Sequence, residues 1–308
     1  MCGIVGIMPN DSVGIGRDLF DMMQSLQHRG TDSAGVAIYD EVTGQEGEYI
    51  LVAEVSDTPG SLGELSNAIG KAGGDIRDIS FRVSPHGEKG INTCIIRVSD
   101  ESELHEVVES VNKTEKASVY SYGKYVRVIK DLGAVEVLDE GYNLCDIRGT
   151  HGVGHVRFST ESSVDRHHAH PFHTDVFPDI ALVHNGQITN YSSVRSELER
   201  KGFVFSSSND SEVIVYFLVD KIRENCSLKD ALKASVERLD GPFSYLVSTP
   251  EAIGISRDKL GLRPMALAED QWGRYVASEE VALNKICESG EINYLKPGEV
   301  TVFERGRN

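Results

Sequence analysis

The sequence predicts an α+β protein in which a compact β-α-β-β-α-β unit is spliced into a larger layered body. Three observations carry that prediction. Apolar residues switch period repeatedly along the chain, from strand spacing to helix spacing and back. Between residues 50 and 122 the order of those patterns is that of the split β-α-β, or ferredoxin-like, arrangement. The flanking stretches, residues 1–49 and 123–308, read as one interrupted unit, because residues 125–129 form a strand-like match for residues 36–39. An insertion between paired strands falls in a hairpin loop, where extra length costs least.

The elements follow in order. Cys2-Gly3-Ile4-Val5-Gly6-Ile7-Met8 is a short apolar run stopped by Pro9-Asn10-Asp11, the pattern of a buried strand entering a turn, with Cys2 at its edge. Leu19, Met22, Met23 and Leu26 recur at helical spacing up to Gly30, and residues 36–39 are again strand-like. In the inserted unit, residues 51–55 read as a strand and Asp57-Thr58-Pro59-Gly60-Ser61 as a turn opening a helix. Leu62, Leu65, Ile69 and Ala72 give that helix its apolar stripe, closed by Gly73-Gly74. Ile79, Phe81 and Val83 alternate as in a half-buried strand, and residues 91–98 form the next. Leu104, Val107, Val108 and Val111 mark a second helix, and residues 117–122 close the unit. Beyond it the pattern predicts strands at 180–183, 244–247 and 252–256 and helices at 211–224 and 228–239.

Composition narrows the function. The 308 residues are 40% hydrophobic and 26% charged, ordinary for a globular chain. Thirty-one basic against 48 acidic residues give a net charge of −17, which repels polyphosphate backbones and anionic lipid, so neither nucleic acid nor membrane is an expected partner. Five cysteines, Cys2, Cys94, Cys145, Cys226 and Cys287, are odd in number and lack the close spacing of a zinc or redox pair, which fits a reducing cytoplasm. No leader and no apolar run of ~18 residues is visible, so the expectation is a cytoplasmic protein. Gly149, Gly152 and Gly154 do not make a dinucleotide fingerprint, and no phosphate loop is present. His167, His168, His170 and His173 crowd one stretch but lack an acidic or thiolate partner at diagnostic spacing, so they read as solvated loop histidines and no metal is expected.

Cys2 is the chemically distinctive residue. A small residue at position two lets Met1 be clipped, leaving Cys2 with a free α-amine. That amine titrates at ~7.7–8.0 and a thiol at ~8.5, so the amine can take the thiol proton near neutrality. Six segments stand with it in the sequence: Cys2-Gly3-Ile4-Val5-Gly6, His28-Arg29-Gly30, Asp32-Ser33-Ala34-Gly35, Gly154-His155-Val156-Arg157-Phe158-Ser159-Thr160, His184-Asn185-Gly186 and Asn209-Asp210-Ser211-Glu212.

Together these segments resemble the class II glutamine amidotransferases, which are N-terminal-nucleophile hydrolases, over the whole chain outside the insert. The resemblance implies a four-layer αββα sandwich and an attack by Cys2 on the glutamine side-chain amide, giving a thioester and ammonia. It implies oxyanion donors at Asn185 and Gly186, on a tight Asn-Gly turn that aims them. Arg157 would take the substrate carboxylate with its planar fork, Asp210 the substrate ammonium, and Thr160 would add a hydroxyl. Arg29 and Asp32 would shape the site, and Ala169-His170-Pro171-Phe172 would form a loop over it.

The inserted unit resembles the ACT domain. That implies an amino-acid effector at Asp57, Gly60 and Ser61, or a packing and dimerisation role that would make a homo-oligomer. The chain ends soon after Pro297-Gly298-Glu299-Val300, leaving little room for an ammonia-consuming domain. In this it resembles the stand-alone glutaminase subunit of archaeal-type glutamate synthase, with no cofactor of its own and with FMN and iron–sulfur clusters on a separate synthase subunit. Two other readings remain open: an amino-acid sensor, and a free-standing amidohydrolase or one serving another acceptor, such as a phosphoribosylamine-forming partner.

Overall fold

The structure is a computed structural model and describes residues 2–11, 14–40, 46–83, 89–158, 165–166, 168–174, 176–287 and 289–306. Thr160 and His167, and with them the end of the Arg157-Phe158-Ser159-Thr160 motif, lie outside the described residues.

In chain order the described elements are β1 (Gly3–Pro9), α1 (Ile15–Ser25), β2 (Ser33–Tyr39), β3 (Glu48–Ser56), α2 (Ser61–Lys71), β4 (Asp75–Val83), β5 (Lys89–Arg97), α3 (Glu101–Asn112) and β6 (Ala117–Gly123). There follow β7 (Val126–Leu132), α4 (Glu136–Tyr142), β8 (His151–Arg157), β9 (Phe172–His173), β10 (Ala181–Gly186), α5 (Tyr191–Arg200), α6 (Asp210–Arg223) and α7 (Leu228–Arg238). The chain closes with β11 (Phe243–Thr249), β12 (Ala252–Arg257), β13 (Ala266–Glu269), β14 (Gly273–Ala277), α8 (Glu280–Leu283), β15 (Asn293–Tyr294) and β16 (Val300–Glu304).

Two sheets build the body. One runs β15-β13-β14-β1-β8-β2-β7 and the other β16-β12-β11-β10-β9. Both are covered on each face, and the strand pleat shows how. In β1, Val5 and Ile7 pack outward with Leu19, Met22 and Met23 of α1, while Ile4 and Met8 point inward to Val153, Val183, Leu246 and Ile255 between the sheets. On the second sheet, Leu182 and Val247 pack outward against Val213, Leu218 and Leu232 of α6 and α7. Helix, sheet, sheet, helix is the resulting order. Among the described residues no helix is long and apolar enough to cross a membrane.

The segment between β2 and β7 makes a third sheet, β4-β5-β3-β6, with every neighbouring pair antiparallel. Its α2 and α3 cover one face through Leu65, Ile69, Leu104 and Val107, while Ile50, Val52 and Ile91 turn the other face onto the body. As the sequence predicts, β2 and β7 pair across the insertion, Val36 opposite Ile129 and Tyr39 opposite Val126. Three expectations need correction. Ile79 and Val83 are exposed rather than half-buried, because β4 is the sheet's edge and only Ile76 and Phe81 reach the helix layer. Asn185 and Gly186 do not form a tight turn. They are the last two residues of β10, paired with Ser244 and Phe243 of β11. Leu62 is also more exposed than its place in the apolar stripe suggests, the buried face of α2 being Ser61, Leu65, Ala68 and Ile69.

Candidate active site

Strand register gathers the predicted residues at one end of the two-sheet body. Gly3 faces Val156 and Ser33 faces Arg157, so Cys2 sits at the strand edge beside the end of β8. Pleat parity then sets the directions. Cys2 shares a face with Ile4, Arg157 with Val153 and Asn185 with Val183, and all three of those apolar residues lie between the sheets. A hydrogen bond ties the sheets together here, His155 Nε2 of β8 donating to the His184 carbonyl of β10 at 3.0 Å.

Cys2 is half-buried, and its thiol donates weakly to the Phe158 carbonyl at 3.7 Å. Burial pushes the thiol above its ordinary range, and the nearby guanidinium groups of Arg157 and Arg29 offset this only in part. A protonated resting thiol needs a base before it can attack. Arg29 is buried and holds the Cys2 backbone, its Nε donating to the Cys2 carbonyl at 2.8 Å while its fork pairs with Glu279. Asp32 acts through its backbone, which donates to the Arg157 carbonyl at 3.0 Å. Arg157 itself is buried, with Cys2, Asp165 and Asp32 as its electrostatic neighbours.

Asn185 is 2% exposed, and its Nδ2 is buried without a hydrogen-bond partner among the described residues. A buried donor left unmade costs about 1–3 kcal/mol, so such a group is usually held for a ligand or water. Gly186 beside it adopts φ 147°, and a Cβ there would stand 2.1 Å from the Pro242 carbonyl oxygen, so no other residue fits. Asp210 opens α6. Its Oδ2 accepts from Ile188 N at 2.7 Å, and its Oδ1 lies 3.8 Å from His184 Nδ1, which places the carboxylate close to the Asn185-Gly186 strand end.

Several residues beyond the predicted set build this end. Ser211 Oγ stands 2.9 Å from both His170 Nε2 and His184 Nδ1, and the His155 and His170 rings stack at 4.0 Å. Burial holds all three imidazoles neutral, His155 down to about 3; His170 is thus a buried residue stacked on His155 and not the solvated loop histidine that the sequence suggests. Glu212 accepts from the backbone and hydroxyl of both Ser206 and Ser207 at 2.7–2.8 Å, pinning the approach to α6. Asp258 does the same for the loop after β12, taking the N–H groups of Leu260 and Leu262, and ties it to the start of β11 through Phe243 N–H. A glutamate three residues after the cap Asn209 was the available signal for Glu212, whereas Asp258 has no local one. Lys130, buried, donates to the Ala169 and Pro171 carbonyls at 3.0 and 3.3 Å; burial lowers it to about 8. Among the described residues no group of three or more His, Cys, Asp or Glu side chains is placed to hold a metal.

Asp57, Gly60 and Ser61 lie elsewhere, in the β3–α2 turn of the insert. Asp57 is exposed, Gly60 has φ 87°, and the Ser61 hydroxyl is bonded to Thr58 Oγ1 at 2.8 Å.

Known proteins resemble this chain in sequence and in fold. A chain of Methanothermobacter thermautotrophicus designated "Putative glutamine amidotransferase" is 43% identical over 313 aligned positions, spanning 99% of this chain and all of that one. The chain belongs to the class II glutamine amidotransferase family. A second member, the glutamine amidotransferase-like protein GlxB of Rhizobium meliloti, is 30% identical over 98% of this chain and 97% of its own length. The family described as glutamine amidotransferase domain matches residues 155–285, from His155 on β8 to just beyond α8. Among solved structures, the glutamine PRPP amidotransferase of B. subtilis superposes with a TM-score of 0.61 at 21% identity, over 98% of this chain and 47% of that one. That likeness shows the shared fold of the two-sheet body.

Proposed function

We propose that this chain hydrolyses glutamine through Cys2 and delivers the ammonia to a separate synthase subunit. The observation that carries the hydrolytic step is the unpartnered Asn185 Nδ2, on the inter-sheet face that also takes Cys2 and Arg157. In the reaction, the Cys2 α-amine takes the thiol proton and the thiolate adds to the amide carbon. The amide oxygen becomes an oxyanion, which Asn185 Nδ2 and Gly186 N–H stabilise. Collapse with proton return to nitrogen expels ammonia and leaves a γ-glutamyl thioester, which water then opens to glutamate and the free thiol. Arg157 orients the substrate by its carboxylate and Asp210 by its ammonium, and Thr160 is assigned a contact on the same substrate.

For the acceptor, the reading is the glutaminase subunit of a glutamate synthase, whose FMN and iron–sulfur clusters belong to the partner. The two full-length relatives of matching size support an acceptor on another chain. An amidophosphoribosyltransferase of Methanocaldococcus jannaschii, 34% identical over 58% of this chain and 40% of its own, favours the alternative of a phosphoribosylamine-forming partner. One experiment separates these. The chain is purified gently from its host, its N-terminus and co-purifying proteins are identified by mass spectrometry, and the visible spectrum and ammonia release from glutamine are recorded. Loss of Met1, ammonia release and a flavin iron–sulfur partner are expected. A Met1-retaining form with full activity would remove the proposed base, and a colourless phosphoribosyl-binding partner would replace the glutamate synthase assignment.

A further inference from the structure

A cleft of about 300 Å³ lies between the inserted sheet and the body, with walls from both. Arg82 and Thr93 line it from β4 and β5, Arg127 from β7, and Tyr142 and Arg148 from the segment at and after the end of α4, with the carboxylates Asp40 and Asp146 also in its wall. In a chain of net charge −17, a small cleft whose wall carries three guanidinium groups against two carboxylates runs against the general trend. The Arg82 and Arg127 side chains have no hydrogen-bond or ion-pair partner among the described residues. A planar guanidinium fork matches a carboxylate or phosphate with two parallel hydrogen bonds, and a volume of this order holds a small metabolite.

The cleft is wired to the glutamine end of the molecule. Tyr142 lines it, and the Tyr142 hydroxyl donates to Asp131 Oδ2 at 2.5 Å. The same Asp131 carboxylate takes a two-pronged bond from Arg166, at 2.8 and 3.1 Å. The remaining arm of Arg166 pairs with Glu54 on the insert's β3, a carboxylate that Lys89 also grips. Arg166 in turn begins the segment that runs through His170, since Ala169 N donates to its carbonyl at 3.3 Å. That segment is fixed by Lys130 at Ala169 and Pro171 and by Ser211 at His170, one residue from Asp210. Tyr142, Asp131, Arg166 and Glu54 are each buried or half-buried, and Glu54 brings the insert into the chain of contacts.

We propose that this cleft is a binding site for a small anionic metabolite, gripped by Arg82 from the insert and Arg127 from the body. Its occupancy alters glutamine binding through Tyr142, Asp131 and Arg166. The site goes beyond the proposed hydrolysis, and its first test needs no catalysis. The whole chain is titrated calorimetrically with inorganic phosphate and with succinate, ionic strength being held constant with chloride, alongside Arg127→Gln and Arg82→Gln. Saturable binding of at least one anion is expected, weakened by about tenfold or more in each variant. Phosphate alone would mark a phosphoryl metabolite and succinate alone a carboxylate. No saturable binding, or affinities unchanged in both variants, overturns the site; Arg82 is exposed, so its loss leaves the fold intact. The second test follows the KM for glutamine with and without the bound anion. A shift of roughly fivefold or more is expected in the wild type. Tyr142→Phe should bind the anion as before and lose the shift, whereas a shift that survives Tyr142→Phe, or none in the wild type, overturns the coupling.

Discussion

The open end of the two-sheet body and the β3–α2 turn of the insert treat their polar groups in opposite ways. At the body's open end, Asn185 Nδ2 is buried with no partner, and one ring nitrogen on each of His155, His170 and His184 is likewise orphaned among the described residues. At the turn, the Ser61 hydroxyl is spent on Thr58, Ser61 N donates to the Thr58 carbonyl at 3.2 Å, and Asp57 faces solvent. Burying an unmade hydrogen bond costs stability, so a fold that keeps several at one place is holding them for something that arrives later. A turn whose donors are already satisfied offers an incoming ligand much less. The two regions differ in readiness to bind.

The sharpest way to break that comparison is at Cys2. Cys2→Ser should leave ammonia release at or near background while the melting temperature stays close to wild type, because the thiol makes a single weak contact at 3.7 Å. Retained hydrolysis would remove the nucleophile. Next in size, Asn185→Ala should lower kcat by roughly 10²–10³ with little change in KM, since the oxyanion exists only in the transition state. It should not destabilise the protein as a satisfied buried amide would, because Nδ2 has no bond to lose. A large fall in stability with unchanged kcat would make Asn185 a structural residue. Third, Arg157→Lys should raise the KM for glutamine by about tenfold or more, lysine being unable to reproduce a bidentate bond to a carboxylate. An unchanged KM would move the carboxylate site away from β8.

How much of this was legible depends on what each residue does locally. β1, α1, β2 and the inserted unit announce themselves because strand and helix periods alternate cleanly there, and the β2–β7 pairing follows from two matched apolar runs. β8 is harder to read as a strand, since His151-Gly152-Val153-Gly154-His155 has few side chains to show a period. Its glycines answer to packing from α1, and a Cβ on Gly154 would stand 2.5 Å from the Met23 sulfur. The positions of Cys2, Arg157, Asn185 and Asp210 were readable from motifs. Their convergence depends on register between strands over 150 residues apart in sequence, and no local pattern encodes that. Asn185-Gly186 misleads for a related reason: the pair commonly marks a turn, but here Ser244 and Phe243 of the neighbouring strand hold it extended. The exposure of Ile79 and Val83 is likewise a property of sheet order, because the same alternation would be half-buried one strand further in.

The body and insert also differ in how they carry imidazoles, which sets a pH dependence. His105 of the insert is exposed, whereas His151 is buried beneath Tyr39, with Nε2 donating to the Thr249 carbonyl at 2.7 Å and Nδ1 facing the Thr150 hydroxyl at 3.0 Å. Burial lowers His151 to about 4, below the 6.5 of an unfolded chain. Below pH 6.5 the unfolded state therefore binds a proton that the native state refuses, and stability falls as pH drops toward 4. Each such histidine contributes up to about 1.4 kcal/mol per pH unit across that window. His151→Gln should flatten the fall in urea unfolding free energy between pH 6.5 and 4 by close to one proton's worth. An identical slope in the variant would mean that His151 is protonated as readily in the native state as in the unfolded one.

The smallest expected effect is at the turn itself, and it decides where the insert meets a ligand. The Ser61 side chain is 3% exposed and its hydroxyl has one neutral partner, so Ser61→Ala should cost about 1 kcal/mol of stability. Glutamine KM and kcat should be unchanged, with or without added free amino acids, because the chain of contacts from Tyr142 through Asp131 to Arg166 does not pass through this turn. Asp57→Ala, at an exposed position, should do less still. Steady-state kinetics across a panel of amino acids checks both variants. If Ser61→Ala abolishes an amino-acid-dependent change in KM that the wild type shows, the turn is a ligand site despite its satisfied hydroxyl, and Thr58 must release Ser61 on binding. In that case the insert would have two faces open to control, one at the arginine-lined cleft and one at the start of α2, and the contrast between a ready site and a satisfied turn would hold only for the catalytic end.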